Sequence, residues 1–205
     1  TRVRSSAASD VYKRQVWGNA NGGIQLNGDI SQGGDGIISG ALIADNIIYN
    51  NGVTGGSAIN LDGVQDSTIE NNLLYNNHAN GISLFQIDGG GPSSNNVVVN
   101  NTIDMASDSR WALNIQNASI NNTAYNNILY NNSATHGSIN ISPDSLPGFQ
   151  SDYNVVMDRF TTDDETTVQS LAAWLTATGQ DAHSIVISCG IIRECGSLRL
   201  PPAAH

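Results

Sequence analysis

Few residues in this chain have chemical reach, and they fall close together in its pattern. Arg110 and the imidazoles of His78 and His136 can carry or move a proton, Trp111 adjoins Arg110, and Asp62, Asp88 and Asp108 are the acids best placed beside them. Two opposed carboxylates cleave a glycosidic bond, grouped acids hold a metal ion, and a guanidinium beside them meets charge at a reacting centre. Arg110, Asp62 and Asp88 are therefore the candidate catalytic groups, with Asp62 and Asp88 as the one pair suited to hydrolysis. Asn60, Asn114 and Gln116 supply amides, and Phe85 supplies an exposed ring. Amides pair donors with acceptors and a ring offers an apolar face, which together suit a sugar. With His78, Trp111 and His136 they form the candidate binding set.

These side chains meet only if a repeat stacks them. The string Ser67-Thr-Ile-Glu-Asn-Asn-Leu-Leu-Tyr-Asn-Asn-His-Ala-Asn-Gly-Ile-Ser-Leu84 has degraded copies on both sides, and its second Asn recurs as Asn46, Asn72, Asn101, Asn127 and Asn154. The steps are 26, 29, 26 and 27 residues. A period of that size, carried by short β-branched strands, predicts a solenoid in which each repeat is one coil. First strands read Ile24/Leu26, Ile59/Leu61, Ile82/Leu84, Leu113/Ile115 and Ile139/Ile141 inward. Gln25, Asn60, Ser83, Asn114 and Asn140 then point outward in one column, because strand side chains alternate between faces. His78, Arg110 and His136 precede the inward Ile82, Leu113 and Ile139 by four, three and three residues, which places them at one edge of the amide strip.

Each coil continues into a second strand, with Ile43, Ile69, Val98 or Ala124 inward. After the Asn-Asn corner comes a third, with Ile48, Leu74, Ile103, Leu129 or Val156 inward. The Asn residues at the corner read as a buried ladder, since stacked amides accept from one neighbour and donate to the next. Two Gly-rich insertions, Gly28–Gly36 and Gln86–Ser94, lengthen the corner between first and second strands and are expected to rim a groove. After Met157 the repeat is expected to stop. Val168, Leu171, Ala172 and Leu175 then mark one amphipathic helix, a lid or brace for the solenoid.

The run Thr68-Ile-Glu-Asn-Asn-Leu-Leu-Tyr-Asn-Asn resembles the parallel β-helix repeat of pectate-lyase-like proteins, over roughly residues 22–157. The resemblance implies an all-β, right-handed parallel β-helix of about five coils with three short strands each, plus one C-terminal α-helix. It also implies a bacterial protein, extracellular or at the cell surface. Its function is left open, because lyases, hydrolases, epimerases and non-catalytic adhesins share the fold. For a lyase, the resemblance implies Arg110 as the base and Ca²⁺ held by acids. Against that, the chain lacks the Gly-His-Gly, Arg-x-Lys and Arg-x-Pro-x-x-Arg signatures of the pectate lyase and polygalacturonase families, and residues 16–188 contain no Lys. A non-catalytic glycan-binding role is therefore placed ahead of a polysaccharide lyase or hydrolase, with a structural adhesin stalk third.

Composition narrows the partners. The chain has 205 residues and a formal net charge of −10. Between residues 16 and 188 only Arg110 and Arg159 are cationic, which disfavours nucleic acid. A polyanionic glycan would need a bridging cation such as Ca²⁺. No apolar run reaches the length of a membrane span, and a monomer is expected.

The ends differ from the middle. Ser5–Gln15 reads as a translated transposase sequencing adapter, so residues 1–15 are set apart as a disordered artefact of a metagenomic fragment. The solenoid is assigned to 16–157 and the loop and helix to 158–188. Residues 189–205, with both cysteines, read as a frameshifted tail, so Cys189 and Cys195 support neither disulfide nor metal site.

Overall fold

A computed structural model describes residues 10–163 and 165–187. Within them the chain winds into a parallel β-solenoid of three long sheets with six, six and seven strands, and a fourth, two-stranded sheet pairs Ile38–Ser39 with Val64–Gln65. Five complete coils carry one strand in each long sheet, and partial turns extend both ends.

The first-strand sheet stacks Ile24–Asn27, Ser57–Asp62, Asn80–Phe85, Leu113–Ile115, Ile139–Ile141 and Phe160–Thr161. Its register aligns Ile24, Ile59, Ile82, Leu113, Ile139 and Phe160 in one inward column, and Leu26, Leu61, Leu84, Ile115 and Ile141 in the other. Most of these side chains are wholly buried. A one-residue slip would expose a whole column, and each buried Ile or Leu contributes ~1.5–3 kcal/mol, so the hydrophobic pattern locks the register.

The corner between second and third strands divides its work between two residues. Asp45, Asn71, Asn100, Asn126 and Tyr153 take left-handed backbone with φ between 55 and 57°. The residue after each is a ladder Asn, exposed by 1%. Asn72 shows the pattern. Its Nδ2 donates to Ile43 O and to Asn101 Oδ1, both at 2.9 Å, and its Oδ1 accepts from Asn46 Nδ2 at 2.9 Å. The ladder thus satisfies corner backbone groups that water cannot reach. Further ladders were not anticipated: Asn19, Asn51 and Asn77 form one, and Asn96 with Asn122 another.

Both ends correct the sequence expectations. Asp10–Tyr12 and Gln15–Trp17 are strands paired with Leu42–Ala44 and Ile47–Tyr49, where residues 1–15 were expected to be disordered. Val11 and Val16 stand at the inward positions opposite Ile43 and Ile48, and Asn46 takes up Val11 O and Arg14 N. The coil path also continues past Met157, where it was expected to stop, since Phe160–Thr161 and Ile185–Val186 add strands. The first nine residues and the tail from 188 onward lie outside the described residues, as do both cysteines.

The helix α1 spans Leu171–Thr178, capped by Ser170. It is a lid over the core, yet the expected face is not the buried one. Trp174 is fully buried, stacking on Phe160 at 5.0 Å, whereas Val168 and Leu175 are exposed. The indole Nε1 donates to Asp181 Oδ2, and Asp181 Oδ1 accepts from Asn154 Nδ2. One buried carboxylate therefore fastens the lid and ends the ladder.

Candidate functional site

The outward column on the first-strand sheet forms as expected: Gln25, Asn60, Ser83, Asn114 and Asn140 are in register, followed by Thr161. Exposure along it is uneven. Gln25 is open, Asn60 and Asn114 are half-buried, and Ser83 and Asn140 are buried. Where the column passes the turn carrying Arg110, the surface opens into a cleft of about 250 Å³ lined by Asn80, Arg110, Asn114, Gln116, Asn140 and Glu165.

The floor of the cleft is an amide pair. Asn140 Nδ2 donates to Asn114 Oδ1 at 2.8 Å, while Asn140 Oδ1 is buried without a hydrogen-bond partner among the described residues. An acceptor left in that state costs ~1–3 kcal/mol, a cost that natural cores rarely keep. One wall is Glu165. Its Oε1 accepts from Trp111 Nε1 at 2.8 Å and from Asn140 Nδ2 at 3.4 Å, and His136 Nε2 lies 3.6 Å from Oε2. His136 Nδ1 faces the hydroxyls of Ser133 and Thr135, so a proton on Nε2 satisfies the whole set. The opposite wall is Arg110, whose guanidinium is without a hydrogen-bond or ion-pair partner among the described residues.

Of the expected binding residues, Asn114 and Gln116 line this cleft. His136 stands behind Glu165, and Trp111 is only 1% exposed, so its expected role as an open aromatic surface is corrected. Its ring packs edge-on to His136 at 5.7 Å and supports the cleft from beneath. Asn60 and Phe85 lie elsewhere along the sheet, and His78 is held by Asp108 at 2.8 Å. Asn80 and Glu165 were missed. Asn80 opens a strand, where its Oδ1 accepts from Trp111 N, and Glu165 comes from the loop that follows the last first strand, a stretch whose sequence reads as a helix lead-in.

The proposed catalytic set is not assembled here. Arg110 lines the cleft, but neither Asp62 nor Asp88 does. Asp62 is 1% exposed, and its carboxylate accepts the backbone N–H groups of Ile87, Asp88 and Gly89 at 2.8–3.1 Å. Both its oxygens are taken up by backbone amides, which leaves it out of reach of a ligand in the cleft. Asp88 accepts from Asn27 Nδ2. The two insertions pack against each other instead of facing across a groove: Gly90 N donates to Gly36 O, and a Cβ on Gly90 would stand 1.9 Å from Asp35 O. Among the described residues Glu165 is the one carboxylate lining the cleft, so no opposed pair of the kind glycoside hydrolysis needs is found there among them.

The acids do not fit Ca²⁺ either. Asp62 is filled by backbone donors, Asp108 by His78 and Asp88 by Asn27, and among the described residues no group of three or more His, Cys, Asp or Glu could hold a metal ion. Among those residues no helix is long and apolar enough to cross a membrane.

Stacked parallel coils and a polar cleft on one sheet define a β-solenoid of the kind used in carbohydrate-related and adhesin-like roles. The chain belongs to the right-handed β-helix region family, whose sequence profile matches residues 2–158. No curated protein and no solved structure matches it.

Proposed function

We propose that this chain is a glycan-binding β-helix protein, secreted or displayed at a cell surface, and that its ligand sits in the cleft between Arg110 and Glu165. The observation that carries this reading is the lining itself: among the described residues, four side-chain amides with one guanidinium and one carboxylate beside them, and no partner for that guanidinium. Sugar hydroxyls need donors and acceptors alternating at short range, and amides on stacked strands supply both without moving. The net charge of −10 and the presence of Glu165 in the wall favour a neutral or mixed glycan over a polyuronate.

A lyase reading draws on the Arg110 guanidinium, which is without a partner among the described residues. Against it stands Glu165, which repels a uronate carboxylate in place of neutralising it.

The test is to screen the whole chain against immobilised neutral and uronate polysaccharides while following reducing ends and unsaturated products. Retained binding without product supports the binding module. Arg110-dependent release of unsaturated product replaces it with the lyase, and retention on no glycan discards the reading.

A further inference from the structure

Beyond the C-terminal ends of the strands Leu113–Ile115 and Ile139–Ile141 lies a second cleft of about 320 Å³, lined by Gln116, Asn117, Ser142, Pro143 and Asp144. It shares Gln116 with the first cleft. We propose that the two clefts are successive subsites for one oligosaccharide of at least two units, running parallel to the strands, with an uncharged or amino-bearing sugar at Asp144. This rests on the glycan-binding reading of the first cleft.

Three observations give the direction. Along the solenoid axis the column on either side of Asn114 and Asn140 is buried: Ser83 is 2% exposed and Thr161 fully buried. Along the strands the two clefts meet at Gln116, which lines both. Asn114 and Asn117 are three residues apart, and because Asn117 stands in the turn after the strand the offset between them is at most ~10 Å. Gln116 stands between them, its Nε2 only weakly engaged with Asn114 Oδ1 at 3.4 Å, and can turn toward either unit.

The volumes agree with this division. Each cleft is near the lower bound of ~300 Å³ for a small-molecule site, and joined they enter the usual range.

The chemistry of the second cleft differs from the first. Among the described residues its lining includes no cation, and its acid is Asp144. The Ser142 hydroxyl donates to Asp144 Oδ1 and holds that carboxyl below the ordinary carboxylate range, so it is ionised near neutral pH. An ionised carboxylate accepts from hydroxyls or an ammonium group and repels a uronate. Exposed Pro143 gives an apolar face for a ring, and exposed Asn117, in left-handed backbone at φ 60°, adds an amide.

Isothermal titration of the whole chain with glucose, glucosamine and galacturonate, each from monomer to β- or α-1,4-linked tetramer, tests this. Affinity is expected to rise at least ~10-fold from monomer to dimer in a neutral or aminosugar series. Asp144→Ala, with Asp144→Asn as the milder variant, is expected to return the dimer to the monomer's affinity. Gln116→Ala is expected to do the same. A monomer bound as tightly as its dimer, or a dimer indifferent to Asp144, overturns the second subsite while leaving the glycan-binding reading standing. If no sugar of any length binds, that reading falls and takes the subsite with it.

Discussion

The indole Nε1 of Trp111 donates to Glu165 Oε1 at 2.8 Å across 54 residues of sequence. That contact ties the turn beneath the cleft to the loop that walls it. It also makes Glu165 a structural acceptor and a cleft-lining residue at once, two roles that substitution can separate.

Replacing Glu165 by Ala leaves the buried Trp111 N–H without an acceptor, an expected loss of ~1–3 kcal/mol. Glu165→Gln keeps an oxygen in place and should lose less. Urea unfolding of the two variants beside the parent measures the difference, and equal stability of Ala and Gln variants would show that the contact does not hold in solution.

Asn72→Leu removes the acceptor of Asn46 Nδ2 and the donor to Ile43 O and Asn101 Oδ1. Several buried groups then lack partners at ~1–3 kcal/mol each, which for a chain of this size lowers the melting temperature on the order of 10 °C. A thermal melt followed by circular dichroism reads it, and an unchanged curve would refute a buried ladder.

Arg110 faces the cleft, and its guanidinium is without a partner among the described residues. Arg110→Ala should therefore change stability by less than ~0.5 kcal/mol while weakening glycan retention ~10-fold or more. Affinity chromatography and a melt on the same preparation separate the two effects. Undiminished retention would place the ligand elsewhere.

Asp152 gives a pH dependence. Burial pushes its carboxyl up, but the imidazole and backbone N–H of His183, each at 2.7 Å, and the N–H of Tyr153 outweigh that and hold it below the ordinary value. A depressed folded pKa contributes stability above the unfolded value near 3.8, and that stability is lost as pH falls through the folded one. Asp152→Asn should therefore be less stable than the parent at pH ~7 and converge with it only in acid well below pH ~4, once pH has fallen through the depressed value. Denaturant midpoints at both pH values check the sign; a gap that persists in acid would assign the effect to packing.

Much of the fold was legible because a solenoid writes its geometry into the chain. Ile59 under Ile82 under Leu113, and Asn72 under Asn101 under Asn127, recur at one coil's length, and in-register parallel stacking converts that period directly into contacts. The outward position of Asn114 follows from alternation alone. Trp174 was harder to read, since the Val168-Leu171-Leu175 stripe suggested a different face. The lid has to plug a column end, and the largest ring does so against Phe160 and Phe149.

By itself, then, the sequence determined the coils, the corner ladder and the amide column, all of which depend on one strand's pattern repeated at a fixed interval. Only the tertiary structure decided which part of that column is a site. Glu165 reaches Trp111 and Asn140 from a loop outside the repeat, and Asp62 is drawn under an insertion whose backbone amides need an anion. Neither position has a period. Each is set by where a single irregular loop comes to rest, and that depends on packing and on satisfying buried polar groups, not on spacing along the chain.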